Sequence, residues 1–170
     1  LRAVAFLWVA GLFCGPLTVP VSAQTALIDA VKSGSAAAVS RLLEEGVDPN
    51  GAEPDGTTPL HWAIQRNDQD TAHRLISGGA AVDVTNRYGV TPLALASTNG
   101  SVAMVEALLA GGATPETASP GGDTPLMIAA RTGRVDVIQR LLAAGAAVEA
   151  TESWKGQTAL MWAAAEGNDE

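Results

Sequence analysis

His61 and His73 are the only histidines in a chain with a single cysteine, Cys14, so they carry whatever metal or acid–base chemistry the sequence could support. A zinc site needs three or four ligands, and the two histidines stand 12 residues apart in segments that read as different helices. Helix-cap or surface roles are expected of both, with no metal. Nucleophilic catalysis needs an activated nucleophile beside an oriented base. Serine and aspartate are scattered through loop-like stretches, and no Gly-x-Ser-x-Gly setting occurs. Gly111-Gly112 and Gly121-Gly122 fall where turns recur and read as helix breakers, not phosphate cradles, so no nucleotide or other cofactor is implied. Asn99-Gly100-Ser101 matches a glycosylation acceptor, but Asn-Gly is also what a turn between helices requires, and the turn reading is preferred. Catalysis is not expected of this segment.

With chemistry set aside, the question becomes what scaffold the remaining residues build. The chain has 170 residues, 47% of them apolar, which suits one domain with a buried core. Its 18 acidic against 10 basic residues give a net charge of −8, which removes the attraction that drives non-specific nucleic-acid binding. Aromatics make up only 4%, so the core must rest on Leu, Ile, Val and closely packed small residues.

The N-terminal stretch reads as an export signal, expected to span residues 1–23. Arg2 is its only charge, Ala3 to Cys14 is apolar, and Pro16 and Pro20 precede Val21-Ser22-Ala23, a small-residue site for cleavage after Ala23. The apolar run of 12 residues is shorter than the roughly 20 a membrane-spanning helix needs. Gly11-Leu12-Phe13 before Cys14 is not a lipoprotein triplet. Cleavage would take Arg2 and Cys14 with it, leaving 9 basic residues, no thiol and no membrane segment.

Beyond this point one unit is copied. Thr25, Thr58, Thr91, Thr124 and Thr158 are separated by 33, 33, 33 and 34 residues. Two places after each stands Leu27, Leu60, Leu93, Leu126 or Leu160, and five places after it Ala30, Ala63, Ala96, Ala129 or Ala163. Thr-Pro at 58–59, 91–92 and 124–125 supplies a capping hydroxyl and a first-turn proline, so a helix starts there. Gly34, Asn67, Gly100, Gly133 and Gly167 suit the left-handed turn that ends it. A second helix follows, for instance Val102 to Ala110 with Val105, Leu108 and Leu109 on one face, closed by Gly112. The dozen residues before the next Thr are rich in Pro, Gly, Asn and Asp and predict a turn or hairpin finger. A helix pair of this size cannot bury its apolar face alone, so the fold must be the stack.

Thr58-Pro59-Leu60-His61-Trp62-Ala63 and the Leu-Leu-x-x-Gly-Ala runs at 108–113 and 141–146 resemble the ankyrin repeat, from Thr25 to the end of the chain. The resemblance implies an all-α solenoid of stacked helix-turn-helix units with fingers, beginning near 25, 58, 91, 124 and 158. Some positions depart from the motif. Its histidine occurs only as His61, with Ile28, Ala94, Met127 and Met161 at the equivalent places, and the finger before the fifth unit is one residue longer and carries Trp154. The fifth unit stops after about one helix, and the natural protein is expected to continue beyond Glu170.

The resemblance also implies a function: ankyrin proteins commonly hold partners on the finger tips and the ends of the inner helices. In this chain the finger positions are Asp55, Thr57, Arg87, Tyr88, Val90, Asp123, Trp154, Lys155 and Gln157. The helix-end positions are Gln65, Arg66, Thr98, Asn99, Arg131, Thr132 and Glu166. Tyr, Trp and Arg are enriched at interface hot spots, so Arg66, Arg87, Tyr88, Asn99, Arg131, Trp154 and Lys155 are the expected contacts. Trp154 could equally pack beneath its finger, whereas Trp62 and Trp162 are expected to be partly buried. The expectation is a monomeric, non-enzymatic scaffold in a bacterial periplasm or secreted space, binding a protein on its concave face. Two rivals are a targeting arm of a larger enzyme or effector continuing past residue 170, and a spacer with no specific partner.

Overall fold

The computed structural model describes residues 21–168, which form nine helices and no strand. Most of the expected leader, residues 1–20, lies outside the described residues, and the expected junction after Ala23 falls in the first turn of α1. Helix pairs α1 (Val21–Ser33) and α2 (Ala36–Glu44), α3 (Pro59–Gln65) and α4 (Gln69–Ser77), α5 (Pro92–Asn99) and α6 (Val102–Ala110), α7 (Pro125–Arg131) and α8 (Val135–Ala143) follow in order, then α9 (Ala159–Glu166). The odd-numbered helices pack side by side in one row and the even-numbered ones, α2 to α8, in a second. This is the expected all-α repeat solenoid.

Local sequence explains most helix boundaries. Thr91, Thr124 and Thr158 each accept the backbone N–H three residues on, at 3.1 to 3.4 Å, satisfying one of the donors that a helix start leaves unpaired. α1 is the exception. Its helix runs through Thr25 and begins at Val21, whereas α9, which like α1 has alanine in place of the first-turn proline, starts directly after Thr158. At the turn after α3, Asn67 takes φ 55°, the left-handed conformation that glycine provides in the other units and that asparagine tolerates best among side-chain-bearing residues.

The core is the repeat seen end-on. Leu27, Leu60, Leu93 and Leu126 from the inner row meet Val39, Leu75, Leu108 and Leu141 from the outer row, all essentially without solvent contact. Ala63, Ala96 and Ala129 are fully buried between neighbouring inner helices, where a larger side chain would force the units apart. Each buried leucine contributes about 1.5–3 kcal/mol over an exposed one.

Side chains also tie each unit to the next along the loops after the outer helices. Asn50 Oδ1 accepts the N–H of Ala81 at 2.7 Å, Asp83 Oδ1 that of Thr114 at 3.0 Å, and Glu116 Oε1 that of Ala147 at 2.6 Å. Acceptors and donors both recur every 33 residues, so this is a second repeat, written in polar side chains.

Candidate functional site

A backbone bond closes each finger, from the N–H of Glu53 to Thr57, Asn86 to Val90, Ser119 to Asp123 and Glu152 to Gln157, with N···O distances of 3.0 to 3.2 Å. In the first three a glycine N–H (Gly56, Gly89, Gly122) also donates back to the carbonyl of the first residue. At three of them the first residue's side chain also gathers the amides of the tip. Asn86 Oδ1 accepts from Tyr88 and Val90, and Ser119 Oγ from Gly121 and Asp123. The fourth finger has one more residue to span, and the longer Glu152 does so, accepting from Trp154 at 2.6 Å, Lys155 at 2.8 Å and Gln157 at 2.9 Å. The Gln157 amide first, then those of Trp154 and Lys155, hold the Glu152 carboxyl below its ordinary pKa. The extra residue is thus accommodated, and Trp154 and Lys155 are presented at the tip.

Adjacent fingers join unevenly. Arg87 N–H donates to the Asp55 carbonyl at 2.7 Å and Ser153 N–H to that of Gly121 at 2.8 Å, linking the first finger to the second and the third to the fourth. Between the second and third stands Pro120, which has no N–H to donate. Its ring instead packs over Gly89, where a Cβ would collide with it. Here a groove of about 420 Å3 opens between the fingers and helices α5 and α7, lined by Tyr88, Val90, Leu95, Thr98, Pro120 and Ile128, with Asp123 at its edge.

The expected contact residues divide into two groups. Tyr88 is 67% and Trp154 82% exposed, so Trp154 projects and does not pack beneath its finger. Each aromatic carries a cation: Arg87 lies 5.7 Å from the Tyr88 ring centre and Lys155 4.3 Å from that of Trp154. Arg131 stacks 5.0 Å from Trp162 of the following unit. Such pairs contribute about 0.5–1 kcal/mol at exposed sites. Three ion pairs form among the described residues, and none involves Arg66, Arg87, Arg131 or Lys155. These four cations are open to an incoming group.

Arg66 and Asn99 have structural work as well. The Arg66 guanidinium lies over Gly34, and Asn99 Nδ2 donates to the Ile64 carbonyl at the end of α3 at 2.9 Å. Among the other expected positions, Gln65, Thr98, Thr132 and Glu166 are exposed, Val90, Asp123 and Gln157 half-buried, and Thr57 buried. Asp55 accepts the Thr57 N–H at 2.9 Å; that bond, and secondarily the Arg87 charge, lowers its pKa.

Near the first finger the polar groups are already satisfied. Glu53 accepts from Lys32 Nζ at 2.6 Å and from Trp62 Nε1 at 2.7 Å, while Lys32 sits 4.3 Å from the Trp62 ring centre. His61 is buried and acts as a cap. Thr58 N–H donates to Nδ1 at 3.2 Å, which assigns the ring proton to Nε2, donating to the Val90 carbonyl at 3.0 Å. Burial pushes its pKa below the ordinary histidine value, partly offset by the Val90 carbonyl. His73 is exposed on α4. Among the described residues no group of three or more His, Cys, Asp or Glu could hold a metal ion, and no helix is long and apolar enough to cross a membrane.

The sequence profile described as ankyrin repeats (3 copies) matches residues 27–119 and again 112–170. The chain belongs to the ankyrin repeat family. The chain is 43% identical over 61 residues to a 2-5A-dependent ribonuclease of Mus musculus, covering 35% of this chain and 8% of the relative. It is 37% identical over 60 residues to the ankyrin repeat domain-containing protein SAT10 of Stachybotrys chartarum, covering 35% of this chain and 3% of the relative. The chain therefore matches less than a tenth of the length of either relative. Ankyrin repeats generally mediate protein binding, and the fold is typically non-catalytic.

Sequence reasoning missed the Arg131–Trp162 stack and the Asn50, Asp83 and Glu116 ladder. The ladder was signalled by polar residues 25 places after successive repeat threonines. The stack had no such signal, because it joins different positions of neighbouring units.

Proposed function

We propose that this chain is a non-enzymatic scaffold that holds a protein partner on the concave face formed by its fingers and inner-helix ends. One observation carries the reading: Arg87 with Tyr88 and Lys155 with Trp154 are exposed at finger tips, where no core residue needs them. Large aromatics left in solvent beside unpaired cations are the side chains that interfaces use as anchors. The test is affinity capture of partners from the source organism's extract with the wild-type chain, an Arg87→Ala, Tyr88→Ala, Trp154→Ala variant, and an Arg41→Ala variant on the opposite side. Partners retained by wild type and Arg41→Ala but lost by the triple variant support the surface; equal recovery by all three sinks it.

The scaffold is exported to a periplasm or secreted space and acts as a monomer. The short apolar segment Ala3 to Cys14 and the Val21-Ser22-Ala23 site support export. Mass analysis of the native protein should find Gln24 as its first residue, and a retained Cys14 would overturn the compartment. The second reading makes these repeats the binding arm of a larger enzyme or effector. It is favoured by the small fraction of each relative that the chain matches. The full reading frame decides between the two.

A further inference from the structure

We infer that the finger row receives an extended acidic peptide segment, with carboxylates anchored at Arg87 and Lys155 and apolar side chains entering the groove between them. The inference rests on the protein-binding reading above and specifies its ligand.

Three observations support it. The first is the register of the finger tips. The two places three and four residues before the repeat threonine hold Pro54-Asp55, Arg87-Tyr88, Pro120-Gly121 and Trp154-Lys155 in turn. A cation stacked on an aromatic therefore stands on the second and fourth fingers, and a proline-glycine tip lies between them. Units stack at an interhelix spacing of about 9 Å, so the two cations are about 18 Å apart. An extended chain rising about 3.3 Å per residue covers this in about six residues.

The second is what lies between the anchors. The groove beside Pro120 is floored by Leu95 and Ile128, suited to apolar side chains, and Asp123 at its edge disfavours a carboxylate there. The acidic groups of the ligand are thereby confined to its ends, while Asp123 can accept one of its backbone N–H groups. Asp55 beside Arg87 is occupied by the Thr57 N–H and makes no ion pair within 4 Å with that arginine.

The third is the contrast in charge between the two sides. Residues 35–50, 67–84, 101–117 and 134–150, which form the outer helices and the loops after them, carry ten carboxylates against four arginines. Residues 21–34, 51–66, 85–100, 118–133 and 151–168, the fingers and inner helices, carry six carboxylates against five cations. Of those, Glu53 is paired with Lys32 and Glu152 is turned onto backbone amides. On the outer side Arg41 and Arg140 are ion-paired and Arg74 and Arg134 stand among ten carboxylates, so an acidic segment is repelled there and meets the less negative surface at the fingers and inner-helix ends, which favours that orientation.

The probe is a fluorescein-labelled heptapeptide with aspartate at its first and seventh positions and leucine at the third and fifth, so that all four side chains share one face. It is compared with a counterpart carrying lysine in place of aspartate, by anisotropy titration against the purified chain. The aspartate peptide is expected to bind at least about tenfold more tightly. An Arg87→Ala, Lys155→Ala variant should lose that preference, and Arg41→Ala should keep it. Equal or tighter binding of the lysine peptide, or no saturable binding of either, overturns the inference. Selection from a random dodecapeptide library on the wild-type chain separates this failure from that of the broader reading. Acidic sequences released by the double variant support the inference. Non-acidic sequences released by the Arg87→Ala, Tyr88→Ala, Trp154→Ala variant remove the acidic ligand but leave the docking surface standing. Absence of any variant-sensitive sequence removes both.

Discussion

The second and fifth units open on nearly the same words, Thr58-Pro59-Leu60-His61-Trp62-Ala63 and Thr158-Ala159-Leu160-Met161-Trp162-Ala163, and reach opposite environments. Leu60 is fully buried, whereas Leu160 is 73% exposed. His61 is enclosed and bonded to the next finger, whereas Met161 lies more than half in solvent. Both units form a capped helix of the expected start. The difference lies in their neighbours: α3 packs on its own partner α4 and on a helix on either side in its row, whereas the main described neighbour of α9 is α7. In a solenoid, propensity and capping are properties of the single helix, while burial belongs to the helices packed around it, within its unit and in the next.

This contrast is broken most strongly at Leu60. Leu60→Ala should destabilise the chain by about 2–5 kcal/mol, read from chemical denaturation, because the stack closes around the cavity only in part. Gly89→Ala comes next. It places a side chain at φ 71° and drives a Cβ into the Pro120 ring, for about 2–4 kcal/mol by thermal or chemical unfolding. Gly156→Ala has nothing within 4 Å and should cost about 1 kcal/mol.

Exchanging the units' own residues sharpens the comparison further. His61→Met, which installs the residue of unit five, removes the bond to Val90 and should cost about 1–2 kcal/mol. Because burial lowers the His61 pKa, the unfolded chain takes up its proton first as pH falls. Stability present above about pH 6.5 should therefore decline as pH drops through the folded value. Denaturation at neutral and mildly acidic pH should show this loss in wild type and a smaller one in His61→Met. Glu152 acts in the same direction at lower pH. Its lowered pKa makes its contribution complete above the ordinary glutamate value, near 4.3, and lost as pH falls through the folded one. Glu152→Gln should flatten that part of the acid-unfolding profile. The smallest effect is expected at Leu160→Ala, within about 0.5 kcal/mol, since little apolar surface is withdrawn from solvent there. A loss matching that of Leu60→Ala would show that this end of the stack is covered in solution.

The same contrast explains how much was legible beforehand. Val102 to Ala110 emerged as α6 with Val105 and Leu108 of its expected face buried and Leu109 half-buried, because the periodicity and closing glycine of a helix are local. Asn67 took the left-handed turn for a similar reason: its conformational preference travels with the residue. Cross-unit features were harder to see. The Arg131–Trp162 stack, the placement of Arg66 over Gly34 and the bond from Asn99 to Ile64 each join different repeat positions about one unit apart. The projection of Trp154 was undecided in sequence because it depends on Glu152 gathering three amides of a finger one residue longer than the rest. The start of α1 at Val21 had no such local signal, since α9 also has alanine in place of the first-turn proline and still starts after its threonine.

Backbone amide exchange on the chain, free and with a captured partner bound, tests the docking surface most directly. Protection is predicted at the finger tips, residues 86–90, 119–123 and 152–157, and at the ends of α5 and α7, while α2, α4, α6 and α8 exchange as in the free chain. Protection confined to those outer helices, with the finger amides unchanged, would contradict the account.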